Sequence, residues 1–101
     1  MRVLILFDLP VETSEERLVY SRFRRSLLKD GYVMMQKSVY SKLVMSPLAA
    51  ELAKERVAKL KPDKGVIQLL VITEKQYAQI EYLLGGPQTK QLTDTERLVI
   101  F

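Results

Sequence analysis

The sequence predicts a mixed α/β (α+β) domain whose strands and helices follow one another as β-α-β-β-α-β, with a short helix and a strand appended. Three observations carry that expectation. Residues 2–7 and 66–72 are near-continuous apolar runs of strand length, bounded by Asp8-Leu9-Pro10 and by Thr73. Thr13-Ser14-Glu15-Glu16, Ser46-Pro47 and Thr73-Glu74-Lys75-Gln76 are helix-opening signals spaced widely enough to leave strands between them. Residues 32–45 are rich in β-branched and aromatic types. Taken in order, these elements give the split β-α-β, or ferredoxin-like, arrangement.

Strand one is Arg2–Phe7. The helix after it opens on a capping box, in which the Thr13 hydroxyl accepts the Glu16 amide and the Glu16 carboxylate reaches back. Val19, Phe23 and Leu27 recur every four residues as its buried stripe, joined by Tyr20 and Leu28, and Asp30-Gly31 stops it. Tyr32–Gln36 and Ser38–Met45 read as two strands. Lys37 between them brings no Gly or Asn-Gly turn signal, so one continuous bent strand is the alternative. Ser46-Pro47 opens a helix to about Leu60 with Leu48, Leu52, Val57 and Leu60 as its apolar stripe, and residues 61–65 turn the chain. Val66–Ile72 reads as a central strand because only Gln68 interrupts its apolar run. The third helix runs from the Thr73 box through Leu84, where Gly85-Gly86-Pro87 ends it. Residues 88–96 are polar and loop-like, and Arg97–Phe101 forms a last strand with no slot in the first sheet. Residues 1–101 thus make one domain, with 1–84 as its core and 85–101 as a loop and a strand that pairs with the edge of its own or a second sheet.

Composition narrows the chemistry. A chain of 101 residues buries a modest core, so an oligomer interface is a natural source of further stability. Cysteine and histidine are both absent, which excludes disulfides, thiol nucleophiles, thiolate metal sites, His-based triads and imidazole general bases. The lack of cysteine suits a cytoplasmic protein. The first apolar run is too short for a signal peptide or a membrane span. Net charge is +4, but residues 17–64 hold 12 basic residues against 4 acidic, a surplus of +8, while residues 1–16 carry −3 and residues 65–101 carry −1. A basic middle of this kind matches a phosphate backbone.

Asp8 is the foremost single candidate, a carboxylate at the C-terminal end of a buried strand, though Asp-Leu-Pro is also an ordinary turn in which it caps local amides. One carboxylate is a poor magnesium site; two copies of Asp8 facing each other across a dimer axis would suffice. Arg22, Arg25 and Lys29 form one basic stripe on the first helix, and Arg17 and Arg24 form another. Guanidinium groups at such spacing engage phosphate oxygens in a bidentate manner, and Lys37 joins them as a nucleic-acid-binding candidate. Lys54, Arg56, Lys59, Lys61 and Lys64 extend the pattern, more simply as a solvated face. Ser38 has no partner in the sequence to activate it as a nucleophile and reads as a hydroxyl bonded at a strand bend. Tyr40 is assigned to packing in a dimer interface rather than to base stacking.

Several of these residues also occur in a family-like order. They are Phe7-Asp8-Leu9-Pro10; Phe23-Arg24, Leu27-Leu28 and Gly31; Gln36-x-Ser38-Val39-Tyr40; Thr73-Glu74-Lys75-Gln76; and Glu96-Arg97-Leu98-Val99. In that combination the chain resembles the CRISPR-associated Cas-two family, especially members that accompany Cas-nine systems, over essentially its whole length. The resemblance implies a homodimer in which each subunit donates its last strand to the other's sheet, which puts Leu98, Val99, Ile100 and Phe101 in the interface. It further implies that the dimer bridges two dimers of the CRISPR integrase, Cas-one, with duplex DNA across its basic surface. Some members of the family are described as magnesium-dependent nucleases acting on RNA or duplex DNA, with the first-strand aspartate, here Asp8, as the metal residue. One Mg²⁺ would then be shared by two copies of Asp8. Several nuclease-active members carry an arginine in the second strand where this chain has Met34.

Two functions of different classes follow. One is a DNA-binding scaffold for spacer acquisition that sets the spacing between integrase subunits. The other is a metal-dependent phosphodiesterase built on paired Asp8 carboxylates, with arginine stabilising the transition-state charge. The lack of a second strong acidic cluster favours the scaffold. A generic RNA-binding module is disfavoured, because neither expected central strand carries the aromatic signature of that class.

Overall fold

The structure, a computed structural model, describes residues 1–87 of the chain. Its elements are β1 (Arg2–Asp8), α1 (Ser14–Lys29), β2 (Val33–Gln36), β3 (Val39–Leu43), α2 (Pro47–Leu60), β4 (Val66–Ile72) and α3 (Glu74–Ala78). The sheet runs β2-β3-β1-β4 with every neighbouring pair antiparallel, which is the ferredoxin-like strand order. The strand expected at Arg97–Phe101, and the polar residues before it, lie outside the described residues.

β1 is the central strand. Val3, Ile5 and Phe7 point to one face and are buried against Phe23 and Leu27 of α1 and Ala50, Ala53 and Val57 of α2. Alternation sends Leu4, Leu6 and Asp8 to the other face. β4, read from the sequence as central, is instead an edge strand of the described sheet. Its near-continuous apolar run has a different cause: Ile67, Leu69 and Val71 pack on the core, while Val66 and Leu70 face outward and stay 57% and 54% exposed.

The helix stripes also differ from the expected ones. On α1, Phe23 and Leu27 are buried and Tyr20 is half-buried, but Val19 and Leu28 remain exposed. On α2 the buried residues are Ala50, Ala53 and Val57, and the expected Leu48, Leu52 and Leu60 face solvent. Small side chains on the inner face let α2 approach the sheet closely, so the larger leucines are displaced to the outside.

β2 and β3 form a hairpin rather than one bent strand, and they are shorter than the apolar runs that suggested them. Ser38 takes a left-handed backbone, φ 66°, at the tip. Its carbonyl accepts the Phe7 amide at 3.0 Å, and its Oγ shares a 3.0 Å hydrogen bond with Tyr20 Oη. Tertiary partners thus hold a turn that has no Gly or Asn of its own.

Both capping boxes form as the sequence predicts. α3 nevertheless stops at Ala78, well short of Leu84. It buries no side chain, and Leu83 and Leu84 beyond it are 95% and 94% exposed, so no packed face rewards further helix. α3 is tied to the start of β1 by polar contacts. Arg2 Nε donates to both Glu74 oxygens at 3.2 and 3.1 Å, and the Arg2 guanidinium lies 4.2 Å from the centre of the Tyr77 ring. Together such contacts contribute about 1–1.5 kcal/mol. Arg2→Ala is therefore expected to raise hydrogen exchange of the α3 amides about tenfold while β1 amides stay protected. Unchanged α3 protection would show that something else holds the helix.

Candidate nucleic-acid interface and the Asp8 hollow

Asp8 is the last residue of β1, exposed, and paired across the sheet with Val66. Two packing contacts fix its backbone. Ahead of it, the Phe7 ring sits among three aromatics, with ring centres 5.7 Å from Tyr20, 5.0 Å from Phe23 and 5.7 Å from Tyr40. Behind it, Gly65 packs on the peptide, and a Cβ at Gly65 would lie 2.7 Å from the Asp8 carbonyl oxygen. A shallow hollow surrounds the carboxylate, bordered by Lys37, Ser38, Val39, Val66 and Gln68. No group of three or more acidic side chains that could hold a metal ion occurs among the described residues. One chain therefore brings a single carboxylate to this hollow, which does not by itself fit magnesium.

Beside the hollow, Tyr40 is 1% exposed and packed inside its own protomer's core. Burial pushes its hydroxyl pKa up, with the nearby Arg24 guanidinium acting in the opposite direction. Nothing in the sequence paired Tyr20 with Ser38 or set Gln68 beside Asp8, since the first depends on how α1 packs on the hairpin tip and the second on the register of β4 against β1.

The structure sorts the basic residues into two sets. Arg17 is used internally, its Nη1 donating to the carbonyls of Val11 and Glu12 at 3.0 and 2.9 Å. Arg24 lies half-buried against Tyr40. Lys42 and Arg56 share Asp30 at 3.6 and 3.2 Å, and Lys54 pairs with Glu51 at 3.2 Å. Arg22, Arg25 and Lys29 stay exposed on the outer side of α1, and Lys37 is exposed at the hairpin tip. Lys59, Lys61 and Lys64 are likewise exposed. Among the described residues, no salt bridge engages any of these seven cations.

The face of the sheet turned away from α1 and α2 is apolar. Val33, Leu43, Val66 and Leu70 are 60%, 48%, 57% and 54% exposed there, around the more sheltered Leu4 and Leu6. Patches of this kind on a small domain mark interaction surfaces. Asp8 stands at the end of this face, beside Val66.

The family model for CRISPR associated protein Cas2 matches residues 1–80. The chain belongs to the CRISPR-associated Cas2 family. A Cas2 relative from Treponema denticola, named CRISPR-associated endoribonuclease Cas2, is 47% identical over 99% of each chain. Another of that name, from Ligilactobacillus salivarius, is 44% identical over 99% of each chain. The crystal structure of Streptococcus pyogenes Cas2 at pH 6.5 superposes with a TM-score of 0.65 at 21% identity, covering 82% of this chain and 99% of that one. That likeness confirms the Cas2 fold. No described helix is long and apolar enough to cross a membrane.

Proposed function

We propose that the protein is a homodimeric scaffold for CRISPR spacer acquisition, working in the cytoplasm, which binds duplex DNA and bridges integrase dimers. The supporting observation is the two-sidedness of the protomer. One sheet face is apolar and uncovered, and the opposite layer carries Arg22, Arg25 and Lys29 outward. Two copies joined through their sheets bury the apolar face and turn both basic ridges toward solvent, where a phosphate backbone can lie across them. The last strand, with Leu98, Val99, Ile100 and Phe101, completes that interface in this reading by pairing with the partner's sheet edge.

A second reading has one observation in its favour. Close relatives are named endoribonucleases, and Asp8 sits at the end of the uncovered face, where the partner's copy of the same residue can approach it. Two carboxylates would then hold one Mg²⁺, which when bound would activate water for phosphodiester cleavage. The scaffold uses no carboxylate chemistry at this position.

Asp8→Asn separates the two. It keeps the size and one acceptor oxygen of the side chain but removes its charge. The scaffold reading expects unchanged dimerisation, integrase binding and spacer acquisition, with wild-type cleavage of RNA or duplex DNA weak or absent, Met34 standing where several active relatives have arginine. A folded, dimeric Asp8→Asn variant that fails to acquire spacers would overturn the scaffold in favour of the enzyme.

A further inference from the structure

The helical layer contains a groove of about 610 Å³, with α1 along one side and the loop after α2 along the other. Its floor is made by Leu9, Phe23 and Pro62, and Arg22 and Ser26 of α1 look across it to Lys61 and Lys64 of the loop. From sequence these lysines belong to a solvated helix face, separate from the α1 stripe by some forty positions. The fold brings them to the same depression as Arg22.

The groove carries charges of both signs. Glu15, Glu16 and Asp63 also line it, and Glu15 and Asp63 make no salt bridge or side-chain hydrogen bond among the described residues. Glu16, however, is committed to the capping box, accepting the Glu12 and Thr13 amides at 2.9 and 3.0 Å. Those backbone donors, with Lys64 nearby, hold its carboxyl below the usual range. Arg22, Lys61 and Lys64 have no such engagement among the described salt bridges and hydrogen bonds, in contrast to Arg17, Lys42, Lys54 and Arg56. Cations that a fold leaves unused, placed on both banks of one groove, suit a chain of phosphodiesters, which supplies a negative charge at every step.

We infer that Lys61 and Lys64 form the second bank of the nucleic-acid track, gripping backbone phosphates across the groove from Arg22. This rests on the DNA-binding reading above. The track thus runs from the α1 ridge over the groove to the loop between α2 and β4, and Ser26 adds a neutral donor on the α1 bank.

Binding of a short fluorescent DNA duplex, measured by anisotropy over a salt series, tests it. For Lys61→Ala with Lys64→Ala, the slope of log K against log salt should shrink by roughly two units, about 0.9 for each phosphate released. The double arginine replacement should keep the slope, and Lys54→Ala, which removes a paired lysine, should leave it unchanged. Thermal melts alongside show that the variants fold. If the lysine pair proves indifferent while Arg25→Ala and Lys29→Ala flatten the slope, the inference fails and the DNA-binding reading stands. Absence of any salt-dependent binding by the wild type overturns both.

Discussion

Gly65→Ala is expected to destabilise the protein by about 3 kcal/mol, which lowers the melting temperature by roughly 15 °C for a domain of this size. Two effects add. Gly65 has φ 102°, a backbone region that side-chain-bearing residues rarely enter, and its new methyl would lie 2.7 Å from both the Asp8 carbonyl oxygen and Leu9 Cδ2. The oxygen belongs to the central strand and cannot step aside without moving the end of β1. Gly31 is the control. It has φ 96°, but a Cβ there meets only the flexible end of Lys42, at 3.7 Å, so Gly31→Ala should cost about 1 kcal/mol from backbone strain alone. Equal losses at the two glycines, read from chemical denaturation, would show that the close approach to Asp8 is unimportant.

Leu70→Asp should produce a folded monomer. Leu70 is 54% exposed in the protomer and lies across from Leu4 on the uncovered face, so the monomer loses little packing. In a dimer joined through that face, two-fold symmetry introduces the carboxylate twice into an apolar contact. The dissociation constant should rise at least about a hundredfold, the scale of losing a central interface anchor. Light scattering at micromolar protein distinguishes the states. A Leu70→Asp protein that stays dimeric would exclude the sheet face as the seat of association. Loss of fold without dissociation would place Leu70 in the protomer's own core.

The parts of this molecule that were legible in sequence are those governed by neighbours in the chain. Thr13 with Glu16, Thr73 with Gln76, and Ser46 before Pro47 each define a helix start through contacts within a few residues. The place of Asp8 at the end of β1 follows from the apolar run that stops at Phe7, before Asp8-Leu9-Pro10. What could not be read depends on distance between elements. Leucines at helical spacing on α2 look like a buried stripe, yet Ala50 and Ala53 take the inner face because α2 runs close to the sheet. β4 looks central because both its faces are largely apolar, a pattern that an edge strand shares when its outer face is apolar and uncovered. The basic residues were visible as a set, but their division was not. Arg17 turns back onto the loop carbonyls and Arg56 onto Asp30, contacts with no signature in one-dimensional spacing. Lys61 and Lys64 line the same groove as Arg22 because the loop carrying them lies against Leu9 at Gly65.

The ring of Phe7, wedged among Tyr20, Phe23 and Tyr40, bears on how two copies would meet. It immobilises the peptide that leads into Asp8, and the Phe7 amide is fastened as well, to the Ser38 carbonyl. The end of β1 is therefore a fixed post rather than a tether, and only the short aspartate side chain beyond it is free to turn. In an assembly of two protomers, the gap between the two carboxylates is dictated by how the sheets dock. Torsions about Cα–Cβ adjust it by no more than the reach of two short side chains, one from each protomer. Any change in the docking angle would open or close that gap as a lever does, with no rearrangement inside either subunit.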